Sequence, residues 1–469
     1  LPAAGLLALV ANIGYIFVYS NTRVITQTRR GMNYTGQIAR SHSSDVIVVG
    51  AGSAGCAAAL AAARGGARVT LIERYGFAGG TGVQVLDTFY GYYTPGLRRK
   101  VIGGIPDQIV AALRARSRVV VRPNTYGAGD GITYDPEALK SAWEHELGAA
   151  GVALLYHALV IDVCRHDGRP CGVIIASRGG LMQIRSRVII DASGDADVAA
   201  AAGVPWEGPA RGAPAQSATT TFRLFNVDTT RAQQVSRGQL HQLMAEAIDS
   251  GQYALPRREG SIHITPLAGA MVANMTRVRD VDATDPWQLS AAEQAGRRQA
   301  LEYVRFLQER VPGYEHAVLG NLSVQLGIRE SRRIIGEYRL SRDDVLGARH
   351  FDDGIALCGA PIEEHHAGAD TRWEYLPAGA VYGIPYRCLV PQRIDGLLVA
   401  GRCLSADHDA HASVRSMGQC MAMGQAAGTA AALALRVGCT PRDLAPAQLR
   451  DALRASGAIV DVSAIGEAP

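Results

Sequence analysis

Residues 45–55 read Asp-Val-Ile-Val-Val-Gly-Ala-Gly-Ser-Ala-Gly, and the reading of this stretch decides the fold. Val46 to Val49 is a β-branched run of the kind that makes a strand buried in a parallel sheet. Gly50, Gly52 and Gly55 follow it directly as G-x-G-x-x-G. The alanine-rich residues 56–64 favour helix, and Gly65-Gly66 stops it. Arg68 to Ile72 makes a second strand, closed by Glu73, 23 positions after Gly50. In such a βαβ unit the first glycine permits a tight turn and the second lets a pyrophosphate approach the backbone. The third lets helix and strand pack closely. The helix N-terminus, with Ser53 and Ala54, offers free N–H groups and partial positive charge to phosphates. Glu73 is placed to accept hydrogen bonds from a ribose diol, with Arg74 beside it.

Further motifs lie along the chain. Gly79-Gly80-Thr81 is a second glycine turn, suited to the far side of a pyrophosphate. Residues 396–402, Gly-Leu-Leu-Val-Ala-Gly-Arg, read as another strand ending in glycine. A long small-residue helix follows over 412–435, containing Gly418, Gly424 and Gly428. With ERYGFAGGTG, VIIDASGDADVAAAAGV, GIRESRRIIGEY and GLLVAGRCLSADHDAHASVRSMGQCMAMGQAAG in this order, the chain resembles the FAD-dependent oxidoreductases of the glutathione-reductase-like superfamily. The resemblance spans about residues 44–437.

It implies that Gly50, Gly52, Gly55 and Glu73 hold the ADP half of FAD, and that Gly79, Gly80 and Thr81 pass under the pyrophosphate. Val160 would offer its backbone to adenine. Ser193, Gly194 and Asp195 correspond to an A-T-G-D stretch of the family, with Ser at the Thr position. Gly401 and Arg402 approach the ribityl-pyrophosphate, and Met417 and Gly418 lie near a helix start facing the flavin. That helix end would stabilise negative charge on the reduced ring. No His follows the Gly-Gly turn, so the flavin is expected to be held non-covalently.

The expected fold class is therefore α/β: a discontinuous Rossmann-like FAD-binding domain with a mixed α+β substrate or cap domain. Residues 44–87, 134–204 and 392–440 are assigned to the first, and 88–133 and 205–391 to the second. Residues 441–469 form a C-terminal tail. Asp135-Pro136-Glu137 reads as a helix start. Residues 217–225 and 381–390 look like cap strands, and 289–310 like an amphipathic helix.

Composition narrows the function classes. The chain has 469 residues, 48% of them hydrophobic and 19% charged, enough for a large core. Its net charge of +4 resides wholly in residues 1–44, which carry Arg23, Arg29, Arg30 and Arg40 and no acid. The remaining body is neutral, which argues against nucleic acid as a partner. Residues 1–43 are a leader: its first 19 are uncharged and mostly apolar, a candidate membrane anchor or a removable extension before Met32. Eight cysteines form no C-x-x-C pair, which disfavours zinc or iron–sulfur modules and fits a reducing, cytoplasmic setting.

The expected activity is hydride transfer between a small, anionic organic substrate and FAD, by a dehydrogenase or oxidase, with an electron acceptor and an oligomeric state that the sequence does not specify. His408 and His411 are candidate bases, since imidazole titrates near neutrality. Arg415 and Arg329 are candidate anion binders. Tyr382, Tyr386 and Arg387 are further candidates for substrate contact or for packing. The run Glu363-Glu364-His365-His366 reads as an exposed loop, and no metal is expected. Alternatives are reduction of an activated C=C bond, as in fumarate-reductase-like enzymes, and a flavin-bearing RNA-modification or scaffold protein.

Overall fold

The computed structural model describes residues 23–27, 33–366, 368 and 371–466. The apolar stretch over residues 1–19 and Met32 lie outside the described residues. Among the described residues no helix is long and apolar enough to cross a membrane.

The opening motif folds as β1 (Val46–Val49), α1 (Ser53–Arg64) and β2 (Val69–Ile72). Asp135 caps α2 (Pro136–Ala149) by accepting from the Glu137 N–H, and this helix leads into β3 (Ala153–Leu155). β4 (Val188–Asp191) and, much later, β5 (Leu397–Val399) complete a five-stranded sheet in the order β5-β4-β1-β2-β3. Every pairing in it is parallel. The strands are continuously apolar because both faces are covered. Val46 and Val48 pack with α1 and with α3 (Met417–Val437), whereas Ile47 and Val49 pack against Val163, Val173 and Ile184 of a second sheet.

α3 lies close along α1 because its facing residues are glycines. A Cβ on Gly424 would stand 2.0 Å from the Ala54 carbonyl oxygen, and one on Gly428 2.1 Å from that of Ala58. The second sheet contains Leu159–His166, Arg169–Ser177 and Gly180–Arg185. The strand Asn33–Ser43, within the stretch set apart as a leader, pairs in parallel with Gly180–Arg185. It therefore adds to this sheet.

Over the C-terminal ends of the parallel strands sits an antiparallel sheet of Ser261–Ile264, Met271–Asn274, Phe222–Phe225 and Val318–Leu322. It has a core of its own, with Phe222, Met244, Tyr303 and Phe306, supplied partly by the helix Pro286–Arg310. Three elements differ from the sequence expectation. The strand expected over 217–225 is regular only from Phe222, and that over 381–390 ends at Pro385 and turns into a 3₁₀ segment. The long helix expected from residue 412 is two helices, His408–Val414 and α3, broken at Arg415 and Ser416. The break turns the start of α3 into a free helix terminus and leaves the Arg415 side chain at the cleft described next.

Candidate functional site

The first glycine turn separates three physical requirements. Gly50 has φ +93°, and a Cβ there would lie 2.5 Å from the Ala192 carbonyl oxygen. Gly55 touches its own turn, since a Cβ would fall 1.7 Å from the Gly50 oxygen. Gly52 is different: the nearest heavy atom to a Cβ is Gly80 Cα at 3.9 Å, so its missing side chain keeps open space. Gly52 is also the N-cap of α1 and carries no side-chain cap, so the first N–H groups of the helix face that space. Gly80 closes the other wall at φ +51°, and the Gly79 N–H donates to the Ala51 carbonyl at 2.8 Å. Thr81 begins a short helix just beyond. Glu73 is buried; its carboxylate accepts from the Ala51 N–H at 2.8 Å and the Tyr75 N–H at 3.0 Å.

β4 ends in the segment that holds Ser193, Gly194 and Asp195. Asp191 is fully buried and accepts from the Ser193 N–H and hydroxyl and from the Ala199 N–H. Burial raises its carboxyl to about 6. Asp195 accepts from Ser331 Oγ at 2.6 Å and Arg402 Nη2 at 2.8 Å. The other terminal nitrogen of Arg402, Nη1, is buried and bonds no described residue. Gly194 sits at φ +80°, where a side chain is strained, and a Cβ there would also lie 2.9 Å from that guanidinium. Gly401, at φ +87°, likewise gives Ala54 room. Gly418 lies under the Tyr90 carbonyl, to which its N–H donates at 3.0 Å.

One cleft connects these parts, with about 360 Å³ available to the centres of water-sized molecules. Gly50, Gly52, Ser53, Ala54, Glu73, Arg74, Gly80, Thr81 and Val160 line one end, with Ser193, Gly194, Asp195, Gly401 and Arg402. Met417 marks the middle, and Arg257, Arg329, Arg415, Glu363 and His365 line the cap end. Gly55, Gly79 and Gly418 stand behind the wall as packing positions. The open space at Gly52, the uncapped α1 terminus and the unpaired Arg402 nitrogen together fit a bound diphosphate.

The cap end is cationic. Arg329 donates to the Ser217 carbonyl at 2.7 Å, and Arg415 to Gln216 Oε1 at 3.0 Å and the Glu363 carbonyl at 3.1 Å. Burial, with Arg415, Arg257 and Arg277 against Glu363, pushes Arg329 down to about 9. Burial would raise the Glu363 carboxyl, but His365, Arg415 and Arg329 outweigh it and hold it at about 2. Glu363 is thus ionised and accepts from His365 Nε2 at 3.0 Å, which leaves Nδ1 as the unprotonated nitrogen, beside Thr371 Oγ1 at 3.3 Å. Burial, then Arg329, keeps this imidazole neutral.

The run Glu363-Glu364-His365-His366, expected to be an exposed loop, is therefore built otherwise. Ile362–Glu364 is a strand paired with Arg372–Glu374, and Glu364 and His365 are buried. Among the described residues no cluster of His, Cys, Asp and Glu could hold a metal. His408 and His411, the expected bases, do not line the cleft. His411 is wholly buried and bonds the Arg402 carbonyl through Nε2 at 2.8 Å. His408 lies between carboxylates, 2.9 Å from Glu330 and 3.4 Å from Glu364. Burial opposes its charge, yet these two acids raise its pKa. Both rings belong to the helix His408–Val414, whose packing keeps them out of the cleft lining. Tyr382, Tyr386 and Arg387 are also structural, bonding Ser413, the Pro441 carbonyl and Asp353. Sequence reading missed Arg257, His365, Tyr126 and Trp373 as cleft residues; they come from separate segments, and no local pattern marked them.

A family model described as FAD dependent oxidoreductase matches residues 45–453. No curated protein matches the sequence. Among solved structures, a geranylgeranyl bacteriochlorophyll reductase-like protein from Thermoplasma acidophilum is 13% identical, with TM-score 0.47 over 88% of this chain and 83% of that one. The p-nitrophenol 4-monooxygenase of Pseudomonas putida is 12% identical, with TM-score 0.45 over 88% and 84%. The anhydrotetracycline hydroxylase of Streptomyces rimosus is 13% identical, with TM-score 0.45 over 88% and 65%.

Proposed function

Because this chain belongs to the FAD-dependent oxidoreductase family, we propose that it is a dehydrogenase or oxidase for a small anionic organic substrate. FAD is its cofactor; when bound, it supplies a ring that takes up or returns a hydride equivalent. Gly52, Ser53, Ala54, Gly80 and Arg402 would hold the diphosphate, Glu73 a ribose, Val160 the adenine, and the start of α3 at Met417 the ring.

The observation that carries the substrate reading is the pair Arg329 and Arg415. Both guanidiniums line the cleft, and among the described residues they bond carbonyl and amide oxygens with no salt bridge to a carboxylate. Glu363 acts on both cations through its field but pairs with neither, and an incoming carboxylate supplies the missing direct contact with charge-assisted hydrogen bonds. The same anion changes His365. Arg329 and Arg415 depress its basicity in the free protein. A bound carboxylate offsets them, so His365 Nδ1 becomes a better proton acceptor once substrate is in place. The role expected of His408 and His411 is thereby proposed for His365.

The test is anaerobic mixing of the FAD-loaded protein with panels of small carboxylic acids, alcohols and amines. Bleaching of the yellow absorbance by acids is the expected result. Bleaching only by neutral or cationic compounds refutes the anionic reading. If no acid bleaches it but an enoate reoxidises the dithionite-reduced protein, the reaction runs instead as reduction of a C=C bond.

A further inference from the structure

We propose that the substrate is a bifunctional organic acid: one carboxylate is held by Arg329 and Arg415, and a second acceptor oxygen by Tyr126 and Trp373. This inference rests on the anionic-substrate reading above and adds a second point of recognition.

Both aromatic residues line the cap end of the cleft. Tyr126 Oη and Trp373 Nε1 are buried atoms that hydrogen-bond no described residue. Buried polar groups are ordinarily satisfied, so two orphaned donors side by side call for an acceptor. Their rings are stacked, with centroids 5.3 Å apart and planes at 24°. The stack continues on both sides, to His241 at 6.3 Å from Tyr126 and to Tyr375 at 5.9 Å from Trp373. The ring faces are therefore used by one another, and what remains for a ligand is the polar edge. Tyr375 also donates its hydroxyl to the Tyr126 carbonyl, which ties the loop to the strand.

The two donor sets are joined by one strand pair. Trp373 is the register partner of Glu363, and the Glu363 carbonyl accepts from Arg415. Arg257, 4% exposed, stands nearby with its Nε likewise unbonded. Indole N–H can only donate, and burial pushes the Tyr126 phenol up, so it stays protonated. The indole cannot accept from an ammonium, so the two groups together suit an acceptor rather than a cation. A carboxylate, keto or hydroxyl oxygen suits both.

The test uses calorimetric titration of the FAD-loaded protein. The probes are unbranched acids of three to six carbons in three sets: monoacids, ω-hydroxy acids of the same charge, and dicarboxylates. The expected result is that at least one hydroxy acid and one diacid bind about tenfold or more tightly than the monoacid of equal length, as one added hydrogen bond implies. Tyr126→Phe and Trp373→Phe, each checked for an unchanged melting temperature, should erase that preference and leave monoacid binding as it was. Arg329→Gln should weaken all three sets together. Equal binding of the three sets by the wild type, or equal losses in all sets for the Phe variants, overturns the second contact and leaves the anionic reading standing. Absence of binding by every acid overturns both.

Discussion

Acid should destabilise this protein through one buried imidazole. The His411 ring is fully buried, its Nε2–H donates to the Arg402 carbonyl, and its Nδ1 bonds no described residue. Protonation would add a second donor with no acceptor and a charge with no solvent. Burial, then Arg333 and Arg415, hold its pKa at about 3 against the pull of Glu330, from a reference of 6.5. The unfolded chain therefore takes up the proton at a pH where the folded chain does not. Stability is complete above pH 6.5, falls as pH drops through the unfolded value, and is fully lost near pH 3. Integrating that linkage from pH 8 to pH 5 gives about 2 kcal/mol, and the whole shift is worth roughly 5 kcal/mol. His411→Gln keeps a neutral donor for the Arg402 carbonyl and removes the titration. Urea unfolding of both proteins, followed by tryptophan fluorescence at constant ionic strength, isolates the group because all other titrations are shared. The gap between the two stability curves should change by about 2 kcal/mol over that pH range. Parallel curves would refute the reasoning.

Acid precipitation of the purified yellow protein should leave FAD in the supernatant; flavin retained by the washed pellet contradicts the non-covalent reading of the Gly-Gly turn. Gly52→Val should fold with a near-normal melt yet fail to bind FAD, because its side chain enters the open space before α1. Gly50→Val should fail to fold, meeting the Ala192 carbonyl at 2.5 Å in a left-handed turn, and wild-type-like melts for both would reverse this assignment. Gly424→Ala should cost about 1–3 kcal/mol in urea unfolding, since α3 must back away from the Ala54 carbonyl; an unchanged midpoint counts against close α1–α3 packing.

The glycine-turn end of the cleft was legible in the sequence because its interactions are local. The turn from Gly50 to Gly55, the helix it opens and the acid at Glu73 lie within one βαβ unit, where residue type and spacing already dictate backbone conformation. The same holds for the Asp135 cap, and the family motifs extended this reading to Asp195 and Arg402. The break at Arg415 and Ser416 was not legible, because small residues that favour helix continue on both sides of it.

The cap end depended on tertiary structure. Tyr126, Arg257, Arg329, Trp373 and Arg415 come from separate segments, and nothing in the spacing of any one of them says that they share a cleft. A row of four polar residues, Glu363 to His366, carries the signature of a surface loop until pairing with Arg372–Glu374 buries it. His411 shows the same limit in reverse: residue type advertises a base, but the direction in which a helix presents a ring is set by what packs against it. Local sequence thus determined where a diphosphate could rest, since backbone torsion and glycine placement are short-range properties. Which side chains line the cap end of the cleft was decided only when distant segments packed, since burial and electrostatic pairing arise from that packing.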